Sequence, residues 1–229
     1  MTRNLATMIV GQQKPLKEIW KMVRKHRKVL VLGCNSCVAV CHQGGTKQAE
    51  VLTSLLRMQA IQEEVQIELM DGGIERQCEH EFFNSALDAI SQTEAVLSLA
   101  CGVGVQFMAE KFHTTPVYPA LNTTFLGAVE RPGYFTEKCQ ACGNCVLAET
   151  GGICPVSRCA KRLLNGPCGG VNNGKCEINR ELDCAWCLIV NRLEALGKLD
   201  DYEELFPLKD WSKDRAGGPR TFKVEGYLP

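Results

Sequence analysis

The sequence predicts an α/β fold, a small parallel sheet with helices on both faces, followed by a Cys/Gly-rich, metal-stabilised domain of short helices and loops. Three observations predict it. Helical periods and short apolar strands alternate from about Lys14 to Pro119, and that periodicity stops after Leu126-Gly-Ala-Val-Glu-Arg-Pro132. Nine of the fourteen cysteines then fall between Cys139 and Cys187, with glycines among them. At 229 residues and 45% hydrophobic content, the chain can bury one ordinary core and carry a smaller companion. The expected division is an α/β domain with Cys-rich strand-end loops over 1–130, a Cys-rich domain over 131–208 and an extended, partner-docking tail over 209–229.

The elements follow in order. Leu16, Ile19, Trp20 and Val23 keep the i, i+3, i+4, i+7 spacing of a helix after Pro15, and Lys28-Val-Leu-Val-Leu32 is a buried strand ending at Gly33. Val51, Leu52 and Leu55 mark the next helix. Val65 to Met70 alternates as a strand, Phe83, Ala86, Leu87 and Ile90 are helical, and Ala95 to Leu99 is a third strand. Val105, Met108, Ala109 and Phe112 repeat the helical period, and Val117-Tyr118 forms a short fourth strand. Right-handed crossovers then build a parallel sheet, and if the first strand is central, as in a 2-1-3 order, all five strand-end thiols approach one edge of it. Further on, Asp183 is placed to cap a helix with the stripe Trp186, Ile189, Val190 and Leu193, stopped by Gly197, and a second short helix runs from Asp201 to Leu205.

Twenty-six basic residues balance twenty-six acidic ones, so no basic field points to nucleic acid or to an anionic membrane. No window approaches the ~20 apolar residues of a spanning helix. The apolar run near Met1 ends at Gly11, short of the ~7–15 residues of a secretory core, which predicts a cytoplasmic protein with reduced thiols. The chain has no nucleophile elbow, P-loop, H-E-x-x-H or recognisable pair of catalytic carboxylates, as in a subunit that does no substrate chemistry alone.

Thiols at this density in a reduced setting are metal ligands. Cys139, Cys142 and Cys145 have the C-x2-C-x2-C spacing with which ferredoxin loops wrap a cluster, and either Cys154 or Cys184 supplies their fourth ligand. Cys159, Cys168 and Cys176, with the other of those two, form a second site, and Cys187 is the spare. Ligands of an open parallel sheet lie beyond the C-terminal strand ends, where Cys34, Cys37 and Cys41 follow the first strand, with Cys78 or Cys101 completing four. That first loop lacks G-x-G-x-x-G and holds bulky Val38, Val40 and His42, so it is not read as a phosphate or flavin loop. The Gly44-Gly45 pair opens the next helix, whose dipole favours an anionic cluster. At least two [4Fe-4S] clusters are expected, with Zn2+ at one site as the alternative, because a four-cysteine zinc site needs the same ligand number.

Gly151-Gly-Ile-Cys-Pro155, Leu164-Asn-Gly-Pro-Cys-Gly-Gly170 with Cys176-Glu177, and Cys184-Ala-Trp186 resemble the methylenetetrahydrofolate reductase C-terminal domain. Gly33-Cys-Asn-Ser-Cys37, Cys101-Gly-Val-Gly104 and Pro119-Ala-Leu-Asn-Thr-Thr124 resemble the small iron-sulfur subunit, of the MetV type, of the acetogen-type reductase. The resemblance implies a partner to a flavin-containing (β/α)8-barrel subunit of the MetF type in the Wood-Ljungdahl pathway, with FMN or FAD on the partner only. A further electron-donor subunit or a ferredoxin would supply the electrons. The contrasting reading is a zinc-stabilised scaffold that positions the catalytic subunit without carrying electrons.

Overall fold

The computed structural model describes residues 9–203, 208–214 and 218–221. The chain divides between Thr136 and Glu137 into two compact units.

The first unit begins with β1 (Ile9–Gln13), α1 (Leu16–Val23), β2 (Lys28–Cys34), α2 (Cys37–Val40), α3 (Thr46–Gln62) and β3 (Glu68–Ile74). A 3-10 turn (Glu81–Ala86), α4 (Leu87–Ser91), β4 (Ala95–Leu99), α5 (Gly102–Lys111), β5 (Val117–Pro119), β6 (Leu121–Arg131) and β7 (Tyr134–Cys139) follow. Strands β3, β2, β4 and β5 lie side by side in that order, all parallel, so the first predicted strand is central. Its unbroken apolar run reflects burial on both faces. Val29 and Val31 face Ile19, Trp20, Leu52 and Leu56 of α1 and α3. Leu30 and Leu32 face Phe83, Ile90 and Met108 on the other side. Each such side chain contributes roughly 1.5–3 kcal/mol by leaving water.

Several elements differ from expectation. The second strand runs 68–74 rather than 65–70, because Val65 and Ile67 pack on the core before pairing starts, and the register with β2 carries on to Cys34 opposite Ile74. Gly72 and Gly73, which look like a turn, are therefore strand. In α3 the buried line is Ala49, Leu52, Thr53, Leu56 and Ala60, while Val51 is 62% exposed: the small alanines let the helix sit close to the sheet. A three-stranded sheet, β1-β6-β7, had no counterpart in the sequence reading. There β1 pairs antiparallel with β6, and β7 returns after Pro132-Gly133, where Gly133 takes a positive φ of 77°.

The second unit holds α6 (Pro155–Arg158), α7 (Ala185–Ala195) and 3-10 turns at Asp200–Glu203 and Trp211–Lys213. The residue capping α7 is Cys184, not Asp183, whose carboxylate pairs with Lys175 at 2.6 Å. The expected helix from Asp201 is a 3-10 turn up to Glu203, and 204–207 lie outside the described residues. Trp186, Ile189 and Leu193 form the buried cluster, with Ile153, Leu163 and Tyr202 against it. Three large side chains are a small core against an ordering cost of about 1–2 kcal/mol per residue, so further cross-links are needed.

Candidate metal centres

At the C-terminal end of the parallel sheet, β2 ends in Cys34, α2 starts with Cys37, Cys78 follows β3, and Cys101 precedes α5. Burial pushes the Cys34 thiol up, backbone N–H groups of Gln77 and Ser36 oppose this, and charges on Cys101 and Cys78 raise it further. Burial likewise pushes the Cys78 thiol up, followed by the charges of Cys101, Glu79 and Cys37. Cys101 and Cys78 thus lie close enough to Cys34, and Cys101 and Cys37 to Cys78, for their charges to act on those thiols. Cys41 lies in one buried cluster with Cys34 and Cys101, and the single turn of α2 carries its Sγ to 3.3 Å from the Val38 carbonyl and 3.8 Å from that of Gly11. Four soft sulfur donors suit an iron-sulfur cluster or zinc, and a bound cation would offset the repulsion among their thiolates. Among the described residues, no three Cys, His, Asp or Glu side chains converge as a single metal ion requires.

Side chains with no obvious motif hold this edge. Gln77, wholly buried and next to Cys78 in the chain, donates its amide to the Leu32 carbonyl at 2.9 Å and accepts from Ser98 Oγ at 2.5 Å, which ties β2 to β4. Thr123 of β6 accepts from the Gly102 N–H at 2.7 Å and so fixes the start of α5 after Cys101. The first N–H of α3, on Thr46, is taken by Asn35 Oδ1 at 2.8 Å. Gln77→Ala leaves the Ser98 hydroxyl and the Leu32 carbonyl buried without that partner, at about 1–3 kcal/mol each. Urea unfolding of the variant is expected to show a loss of about 2–6 kcal/mol, and an unchanged midpoint would contradict this role.

In the second unit, Cys159, Cys168, Cys176 and Cys184 line one cavity, together with Lys161, Glu177 and Trp186. Of the two thiols left open between sites, Cys184 belongs to this cavity, while Cys154 caps α6 and is absent from the lining. Cys187 lies beside Cys184, its thiol pushed up by burial and then by that neighbour. Lys161 is held above its usual range by its hydrogen bond with Glu177, which is correspondingly lowered. Gly166 must be glycine, since a Cβ there would lie 2.4–2.6 Å from the Trp186 ring.

Cys139, Cys142 and Cys145 occupy the loop after β7. Ala141, at a φ of 54°, turns its N–H onto Cys139 Sγ at 3.3 Å. Arg220 donates to the carbonyls of Ala141 and Lys213, both at 2.9 Å. Lys209, 8% exposed, donates to the Asn144 carbonyl, and the Asn144 side chain accepts from the Asp210 N–H at 3.1 Å. The segment expected to dock on a partner therefore meets this loop of its own unit, and 222–229 lie outside the described residues.

Fold and thiols together define a mixed α/β protein with a cysteine-lined companion unit. Residues 118–212 match the family model described as Methylene-tetrahydrofolate reductase C terminal. The matched stretch contains all nine cysteines from Cys139 to Cys187 and links the chain to methylenetetrahydrofolate reductase. Neither the curated proteins nor the solved structures gave a match. Among the described residues, no helix is long and apolar enough to cross a membrane.

Proposed function

We propose that the chain is the iron-sulfur electron-transfer subunit of a methylenetetrahydrofolate reductase complex. It passes electrons to the flavin, FMN or FAD, of a catalytic (β/α)8-barrel subunit of the MetF type that reduces methylenetetrahydrofolate to methyltetrahydrofolate in the Wood-Ljungdahl pathway. The observation that carries the reading is the gathering of Cys159, Cys168, Cys176 and Cys184 around one cavity inside the stretch that matches the reductase family. Cys34, Cys37, Cys78 and Cys101 are assigned to a second centre, and Cys139, Cys142, Cys145 and Cys154 to a third. A bound [4Fe-4S] cluster supplies reversible one-electron storage. The chain's own part is to hold the sulfurs and steady their negative charge, through the Ala141 N–H on Cys139 and the Lys161 ammonium near Cys168.

Anaerobically purified protein is expected to contain iron and acid-labile sulfide and to show broad visible absorption that dithionite bleaches. Colourless protein with zinc alone would overturn the electron-transfer reading and leave the scaffold role. Flavin is expected on the partner and not on this chain, whose first strand-end loop is bulky and thiol-bearing.

A further inference from the structure

Two charged side chains meet at the sulfur of Cys168. Lys161 Nζ lies 3.6 Å from Sγ, Glu177 Oε1 lies 3.7 Å from it, and the two are hydrogen-bonded to each other. The backbone prepares both positions. After Cys159 the chain closes a tight turn in which the Arg162 N–H donates to the Cys159 carbonyl at 2.8 Å and Arg162 takes a φ of 55°, which places Lys161 at the cavity. At Gly170 a Cβ would lie 2.0–2.3 Å from the Glu177 carboxyl group, so glycine there leaves the room in which Glu177 reaches Lys161.

A partly exposed Lys–Glu pair contributes little to stability. Its position on a candidate ligand suggests a different use. A metal-bound cysteine is a thiolate, and partners outside the ligand shell that donate to it set how firmly it is held. The lysine side chain is long and free to turn, so a fixed carboxylate is needed to aim its ammonium. Glu177 has a cost of its own, because without Lys161 it would be a bare negative charge beside a negative sulfur.

We infer that Lys161, aimed by Glu177, is a positioning residue that keeps Cys168 on the metal of the second-unit centre and slows metal loss from it. This rests on reading the cavity of Cys159, Cys168, Cys176 and Cys184 as a metal centre. The role is independent of whether the metal is iron or zinc, since both are held as thiolates.

The test uses the full chain, purified anaerobically with its metal. Iron and zinc per chain are counted, and their release is then followed after addition of excess EDTA. Lys161→Met, which keeps the stem and removes the charge, is expected to release the metal of this centre at least tenfold faster. Lys161→Arg should stay within threefold of the parent. The double variant Lys161→Met/Glu177→Gln should recover most of the loss, because the unopposed carboxylate is gone as well; a purely structural ion pair predicts no change in release in any of them. Cys168→Ser separates the two levels of the claim. If it keeps the full metal content, the cavity is not a metal centre. If it loses metal while Lys161→Met releases at the parent rate, the centre stands and the role of Lys161 falls.

Discussion

Replacing Cys101 by serine is expected to remove the whole metal content of the strand-end centre, whereas replacing Cys41 should remove none. The five thiols at this edge look interchangeable in the sequence, and only their surroundings separate them. Cys34 feels the charges of Cys101 and Cys78, and Cys78 feels those of Cys101 and Cys37. Cys41 packs with Cys34 and Cys101 in the buried cluster of Val10, Val38 and Leu121, but its thiol donates to the Val38 carbonyl at 3.3 Å, a hydrogen bond that serine can keep. Serine is a poor substitute for a thiolate on a soft metal, so the lost ligand at position 101 cannot be made good. Metal and sulfide analysis of the two variants, with Cys78→Ser beside them, decides the matter. Retention of the full content by Cys101→Ser, or its loss from Cys41→Ser, would return Cys41 to the ligand set.

The parallel sheet was legible because its inner strands β2 and β4 are buried on both faces and its helices on one, so each leaves a period in the sequence. The second sheet was not. Strand β6 is only partly buried along most of its length and carries Asn122, Thr123 and Thr124 in succession, which breaks the alternation that marks a strand. The Pro132-Gly133 pair was the available signal, a two-residue turn between β6 and β7. Among the thiols, spacing marked which stretches are candidate metal sites but not which residues lie together. That depends on where α2 turns Cys41 and on which side of the second unit Cys184 and Cys154 lie. Gln77, Lys161 and Glu177 had no motif to expose them, since their roles come from contacts across 45, 7 and 9 residues of chain to Leu32 and Cys168.

Gly33→Ala is expected to be the most damaging single methyl group in the first unit. Gly33 lies on β2 one residue before Cys34, and a Cβ there would stand 2.4 Å from both the carbonyl carbon and the oxygen of Gly45 and 2.7 Å from the Thr46 nitrogen. These are backbone atoms at the start of α3, so no side chain can swing aside. Either the helix start moves off the sheet, breaking the Asn35–Thr46 bond, or the end of β2 bends and carries Cys34 away from Cys78 and Cys101. Overpacking of this kind costs about 1–3 kcal/mol and sometimes more. For a domain of this size that is a fall in Tm of roughly 10 °C, and the metal of the strand-end centre should be lost with it. Gly72 provides the control on the neighbouring strand: its Cβ would meet nothing closer than Leu32 Cδ1 at 3.9 Å. Gly72→Ala should therefore unfold at or slightly above the parent temperature, since alanine only reduces the freedom of the unfolded chain. Equal effects of the two substitutions in a thermal melt would mean that the close approach of β2 to the α3 start is not what fixes Cys34.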